Sequence, residues 1–199
     1  MTENEQQVAA VLLAAGGGRR LGGRPKALLE HRGRPLVEHA VGVLRAAGCT
    51  RVHVVLGAAA ADVRERAELG DCVLVENPRW ADGMGSSLRA GLGSLAGTTA
   101  RAALVSLVDQ PGIGARAVRR VLAAYEDETS LVSAAYDGVR GHPVLFGAAH
   151  WAGIAATATG DRGARDYLKE HQGALTLVEC GDVAEPYDID TPGDLAHLE

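Results

Sequence analysis

The sequence has few cysteines, no long apolar run and no basic stripe, and each shortage removes a class of protein. Cys49, Cys72 and Cys180 form an odd, widely spaced set without a Cys-x-x-Cys pair. Neither a disulfide framework nor a zinc site is signalled, and a reducing, cytoplasmic setting is expected. No apolar stretch approaches the roughly 20 residues of a membrane span, and the polar, acidic start Met1–Gln7 lacks the basic residues of an export signal. Membrane insertion and export are therefore not expected, and residues 1–7 read as a flexible tail. The net charge is −5, and outside the first loop no lysine-arginine cluster forms, which argues against a nucleic-acid partner. Without repeats, linkers or low-complexity tracts, residues 1–199 are expected to form a single domain.

What the chain does have comes first. Val8–Leu13 is an apolar strand that runs through Ala14 and Ala15 into Gly16-Gly17-Gly18-Arg19-Arg20-Leu21-Gly22-Gly23-Arg24-Pro25-Lys26. Glycines let the backbone turn with positive φ and bring its N–H groups close to an anion, while the four cations supply charge-assisted hydrogen bonds. Such a loop suits a polyphosphate. It is not a dinucleotide fingerprint, because Leu21 stands where glycine or alanine is needed, and it is not a Walker loop, because Lys26 comes too late.

Further apolar runs at Val52–Leu56, Cys72–Val75, Ala102–Val108, Leu131–Ala135 and Leu175–Val178 read as strands, giving six in all. Between them, Leu36–Ala47, Ala60–Leu69 and Ala115–Tyr125 carry helical spacing, and Pro35 and Gly48 sit where the first of these should start and stop. The alternation predicts an α/β fold, a Rossmann-like three-layer α/β/α arrangement with a mostly parallel sheet. Tyr136–Phe146 interrupts the pattern and reads as a small antiparallel hairpin or edge excursion.

Asp109 ends the run Ala103–Val108 and is followed by Gln110-Pro111, so a carboxylate emerges at a strand tip. Beside a triphosphate loop it suits a hard cation such as Mg²⁺; the bland reading is a cap for a helix starting near Ile113. Asp188 and Asp190 alternate on an extended segment and share a face. With Asp109 they form a metal site, or Asp190 caps a terminal helix Gly193–Leu198. His142 lies between Gly141 and Pro143, and Arg162 and Arg165 lie near a helix start at Asp161; these three reach an anionic acceptor or are a loop histidine and a solvated helix face. Trp80 and Trp151 read as packing residues, and the remaining histidines show no ligand spacing.

In order along the chain, Leu12–Lys26, Asn77-Pro78 with Gly83–Gly91, Val108–Pro111, Gly141–Phe146, Gly160–Arg165 and Asp188–Pro192 resemble six blocks of the MobA-like nucleotidyltransferases, most of all the molybdenum cofactor cytidylyltransferases. The resemblance implies a Rossmann-like sheet that takes an NTP and joins its NMP to a phosphate acceptor, here molybdopterin or molybdenum cofactor, with release of pyrophosphate. Carried over residue by residue, it implies Arg20, Lys26 and Asp109 as catalytic. Leu13, Ala14, Ala15, Gly16, Gly18, Gly83, Ser86 and Ser87 would join Arg20 and Lys26 around the nucleotide, and Asp109 with Asp190 would hold Mg²⁺. His142, Arg162, Arg165 and Asp188 would face the acceptor.

A molybdoenzyme or its chaperone is the implied recipient of the product. Leu13-Ala14-Ala15-Gly16 resembles the cytidylyltransferase loop rather than the L-A-G-G of guanylyltransferases, so CTP is expected over GTP. The sequence departs from the family at Leu21, at Arg24-Pro25 and at Gly193, and substrate range is the property these touch. A GTP-dependent enzyme, a transferase for another small phosphate such as a sugar phosphate, and a nonenzymatic cofactor carrier stay open as alternatives.

Overall fold

The computed structural model describes residues 7–198. Most of the expected flexible tail, residues 1–6, lies outside the described residues; at its end the Gln7 carbonyl accepts from Arg101 N at 2.7 Å.

The first strand shows how the layers form. β1 (Val8–Ala14) is buried along its whole length. Its side chains alternate between two cores: Val8, Ala10, Leu12 and Ala14 enter one, and Ala9, Val11 and Leu13 the other. A strand covered on both faces reads as a continuous apolar run, which is why this one was legible. Burying a side chain such as Leu12 or Leu104 fully contributes about 1.5–3 kcal/mol.

Around β1 lie a two-residue pair, β2 (Glu30–His31) and β3 (Arg34–Pro35), then α1 (Leu36–Ala46), β4 (Val52–Leu56), α2 (Ala60–Arg66) and β5 (Val73–Glu76). The chain continues through α3 (Met84–Gly93), β6 (Ala102–Leu107), α4 (Ala115–Ala123), β7 (Leu131–Tyr136) and β8 (Val139–Gly147). It ends with α5 (Ala148–Thr157), α6 (Arg165–Glu170), β9 (Leu175–Glu179) and a 3-10 turn at Pro192–Leu198. Side chains of α1, α2 and α4 pack in the first core and those of α3, α5 and α6 in the second, so the sheet is covered on both faces.

The main sheet has the order β5-β4-β1-β6-β8-β7-β9. β4 and β6 flank β1 in parallel, with Leu13 paired to Val55 on one side and Leu107 on the other. The connections therefore leave β1 in opposite directions, and the crevice beyond the carboxyl ends of β1 and β6 is where such sheets take ligands.

Several expectations need correction. The sheet has seven strands rather than six, because the Tyr136–Phe146 excursion is a hairpin whose second strand, β8, sits inside the sheet, antiparallel to both β6 and β7. Its buried end is apolar on both faces, with Val144, Leu145 and Phe146 paired to Val105, Leu104 and Ala103. Of the Gly83–Gly91 block, Met84–Gly91 lies in helix α3 and Gly83 precedes it. Its glycines remove side chains where the helix comes close: a Cβ on Gly91 would lie 2.5 Å from Val11, and one on Gly85 2.7 Å from Thr159 N. The expected terminal helix is the 3-10 turn, and the helix expected near Asp161 begins at Arg165.

Candidate active site

Between β1 and Lys26 the chain folds into a closed loop. Gly18 has φ 62° and ψ 39°, and its carbonyl accepts from Leu21 N at 2.8 Å and Gly23 N at 3.0 Å. A Cβ here would lie 1.8 Å from the Arg24 carbonyl oxygen, so only glycine fits. Pro25 ends the loop, and Lys26 opens a 3-10 turn, Lys26–Leu28.

That turn returns the ammonium to the sheet. Lys26 Nζ donates to Asp109 Oδ2 at 2.6 Å and also to Asp190 Oδ1, while Arg20 Nη1 meets Asp190 Oδ2 at 3.2 Å. Burial pulls the Lys26 pKa down, but the field and hydrogen bonds of Asp109, followed by those of Asp190, outweigh it and raise it overall. Residues 83 and 164 positions from Lys26 are thus brought together at one point. The bland readings of both acids fail: α4 follows Gly114 without a side-chain cap, and Asp194 Oδ2 accepts from Asp190 N, Thr191 N and Thr191 Oγ1 at the terminal turn. Asp190's carboxylate is left to face Lys26.

These groups border a crevice of about 270 Å³ whose other walls include Leu13, Ala15, Gly16–Gly18, Arg19, Trp80, Gly83, Met84, Ser87 and Asp161. Trp80 is more than packing: its ring covers Gly17, where a Cβ would meet it at 3.1 Å, and its Cβ crowds Gly57. Asn77 is buried and donates to Ser86 Oγ at 2.8 Å and Ser87 Oγ at 3.1 Å, which fixes the start of α3. Ser87 lines the crevice. Ser86 does not; its hydroxyl is spent on the Arg79 and Gly83 carbonyls. Ala14 also stays out, since its side chain lies in the opposite core.

A second cavity of about 440 Å³ adjoins the first and shares Leu13, Met84, Leu107 and Asp161 with it. His142, Arg162, Arg165 and Asp188 all line it, joined by Gln110, Tyr136 and Arg140, which the sequence did not single out for this place. Gln110 Nε2 donates to Asp188 Oδ1 at 2.8 Å, and burial, with Asp109 and Asp190 nearby, raises the Asp188 pKa despite that bond. Tyr136 donates to the His142 carbonyl at 2.6 Å. Trp151 packs as expected, its indole N–H on the Phe146 carbonyl at 2.9 Å.

Burial pushes the His142 imidazole down to about 4; Asp109 opposes this, and Arg140 and Arg165 reinforce it. The unfolded chain therefore takes up this proton first as pH falls, so the contribution to stability is complete above about pH 6.5 and is lost toward pH 4. Burial lowers His39 and His53 in the same sense. Urea unfolding of His142→Gln should show a shallower loss of stability across that window than the parent, with about one proton fewer taken up on unfolding; parallel pH curves would contradict it.

Two carboxylates converge on a gap now filled by an ammonium group, which is the donor set a hard divalent cation takes together with phosphate oxygens. The residues fit such an ion. Among the described residues no helix is long and apolar enough to cross a membrane.

The profile of the MobA-like NTP transferase domain matches residues 10–175. A nicotine blue oxidoreductase of Paenarthrobacter nicotinovorans is 42% identical over 198 residues, 96% of each chain. A molybdenum cofactor guanylyltransferase of Shewanella sediminis (strain HAW-EB3) is 31% identical over 140 residues, 70% of this chain and 68% of its own. Among solved structures, Rv0371c of Mycobacterium tuberculosis H37Rv in complex with manganese superposes with a TM-score of 0.74 at 28% identity, covering 96% of this chain and 97% of that one.

Proposed function

This chain belongs to the MobA-like NTP transferase family, and from that premise we propose that it transfers CMP from CTP to the phosphate of molybdopterin or molybdenum cofactor, with Mg²⁺ held by Asp109 and Asp190. The observation that carries the reading is the convergence of Lys26, Asp109 and Asp190 beside the Gly16–Gly18 loop.

In this reaction an acceptor phosphate oxygen attacks the α-phosphorus, the bond from that phosphorus to the bridging oxygen breaks, and pyrophosphate leaves with the bonding electrons. The nucleophile is already ionised at neutral pH, so positioning and charge neutralisation matter more than a general base. The bound dication would supply charge neutralisation at the phosphate oxygens. Lys26 and Arg20 donate to the same oxygens and to the leaving group as charge builds there. Ser87, oriented by Asn77, offers its hydroxyl to the nucleoside half, and the Trp80 ring walls that half of the crevice. His142, Arg165 and Asp188 face the acceptor in the second cavity.

Preference for CTP rests on the Ala15 methyl, which lines the crevice where the related guanylyltransferase loop has glycine. A methyl in such a pocket is worth about 1–3 kcal/mol, or roughly 10- to 200-fold. Pyrophosphate release with Mg²⁺ and the cofactor acceptor should therefore be faster with CTP than with GTP, and Ala15→Gly should narrow the ratio by about tenfold or more. Equal rates in both proteins would remove the base assignment. No release with either nucleotide, or release with a sugar 1-phosphate alone, would remove the acceptor assignment.

A second reading has its own support in the 42% identity to an oxidoreductase over 96% of both chains. On that reading the cavities take nicotine blue or a similar redox-active organic molecule and its redox partner. Redox turnover of that molecule, without pyrophosphate release from CTP, would make it the better account.

A further inference from the structure

We propose that Arg140 and Arg165 form a second anion site in the acceptor cavity, for an anionic group of the acceptor other than the phosphate that reacts. The proposal deepens the reading above and rests on the second cavity being the acceptor's.

Charge balance comes first. Of the three arginines that line the second cavity, Arg162 is paired with Asp166. Neither Arg140 nor Arg165 forms an ion pair or a side-chain hydrogen bond among the described residues. They reach the cavity from different elements, Arg140 from β8 and Arg165 from the first position of α6, and both act electrostatically on His142. Two acids line the same cavity, Asp188, which accepts from Gln110, and Asp161, which accepts from Met84 N, and neither pairs with Arg140 or Arg165 among the described residues. Two guanidinium groups without a carboxylate partner therefore border one cavity beside His142.

Position decides which anion this is. The reacting phosphate has to lie within reach of Lys26 and Asp109, which border the first crevice; Arg140 and Arg165 border only the second. Between the two regions the cavity wall is apolar, with Leu13, Leu88, Val105, Val144 and Phe146. The acceptor class that fits is a phosphate monoester with an apolar or flat organic body and a second oxyanion at its far end. Guanidinium forks suit an oxyanion, which they can bind through paired N–H donors.

The test uses His142 as a local reporter and inorganic sulfate as the probe. In ¹H–¹⁵N spectra of the full chain, sulfate should move the His142 ring signals saturably, and the double variant Arg140→Gln/Arg165→Gln should weaken that binding about tenfold or more. Arg165→Lys keeps the charge and the start of α6, so it should lose less binding than the double variant and serves as the folding control, with the His53 ring signals as a second check. Unmoved His142 signals in the parent, or equal binding in the double variant, would overturn the proposal. This arm needs no turnover, so it stands apart from failure of the transferase reading. Where transfer is observed, the double variant should raise the acceptor KM about tenfold or more while the KM for CTP changes less than twofold; an unchanged acceptor KM would also overturn it.

Discussion

Lys26→Met is expected to lower nucleotidyl transfer by about 10²- to 10³-fold, the usual cost of removing one preorganised donor to developing charge. Asp109→Asn should be at least as damaging, since Asp109 is the strand-tip half of the proposed metal pair. The two variants differ in a way that tests the geometry. Removing the ammonium leaves Asp109 and Asp190 facing each other across a gap with no cation from Lys26, so a divalent ion has more to gain there than in the parent. Mg²⁺ or Mn²⁺ should therefore raise the melting temperature of Lys26→Met more than that of the parent, and should barely move that of Asp109→Asn. Equal metal responses in all three proteins would show that the carboxylates do not share an ion.

Gly18→Ala is the second large effect. A methyl 1.8 Å from the Arg24 carbonyl forces the loop open, and alanine also resists the left-handed backbone by about 1–2 kcal/mol. Gly22, Gly23 and Arg24 are exposed, so the rest of the domain need not follow, and the melting temperature should fall only slightly. Nucleotide affinity should fall much further. Losing one or two charge-assisted bonds from Arg20 and Lys26 costs about 1.5–3 kcal/mol each, which is at least tenfold in CTP affinity by calorimetry. Gly114→Ala, where φ is −91° and a Cβ meets nothing, is the matched control and should bind CTP normally. Equal affinity in the Gly18 and Gly114 variants would mean the loop does not shape the nucleotide site.

The layers and the glycine-rich loop were readable because their causes are local. A strand buried on both faces is apolar throughout, and a glycine at φ 62° beside cations leaves its mark in the sequence whatever the rest of the chain does. Long-range partners left weaker marks. Nothing in Val139–Gly147 distinguishes an edge hairpin from a strand set between β6 and β7, because that depends on what Val105 and Leu104 need opposite them. The glycines of α3 have a reason only in the fold, where a Cβ on Gly91 would meet Val11. Ser86 and Ser87 differ by one step around a helix, and that step sends one hydroxyl to carbonyls and the other to the crevice. Trp80 became a crevice wall through Gly17 and Gly57, whose side-chain absence makes room for its ring. Asp190 reads by spacing as a cap for the terminal turn, and only the fold gives that turn to Asp194 and leaves Asp190 for Lys26.

If the Gly16–Lys26 loop holds a nucleoside triphosphate against a cation carried by Asp109 and Asp190, crystals soaked with CTP and Mn²⁺ and measured at the manganese edge should show it. The expected result is an anomalous peak coordinated by both carboxylates and by phosphate oxygens, with the Lys26 ammonium moved onto the triphosphate. An anomalous peak elsewhere, or a triphosphate bound away from the loop with the Lys26–Asp109 pair intact, would contradict it.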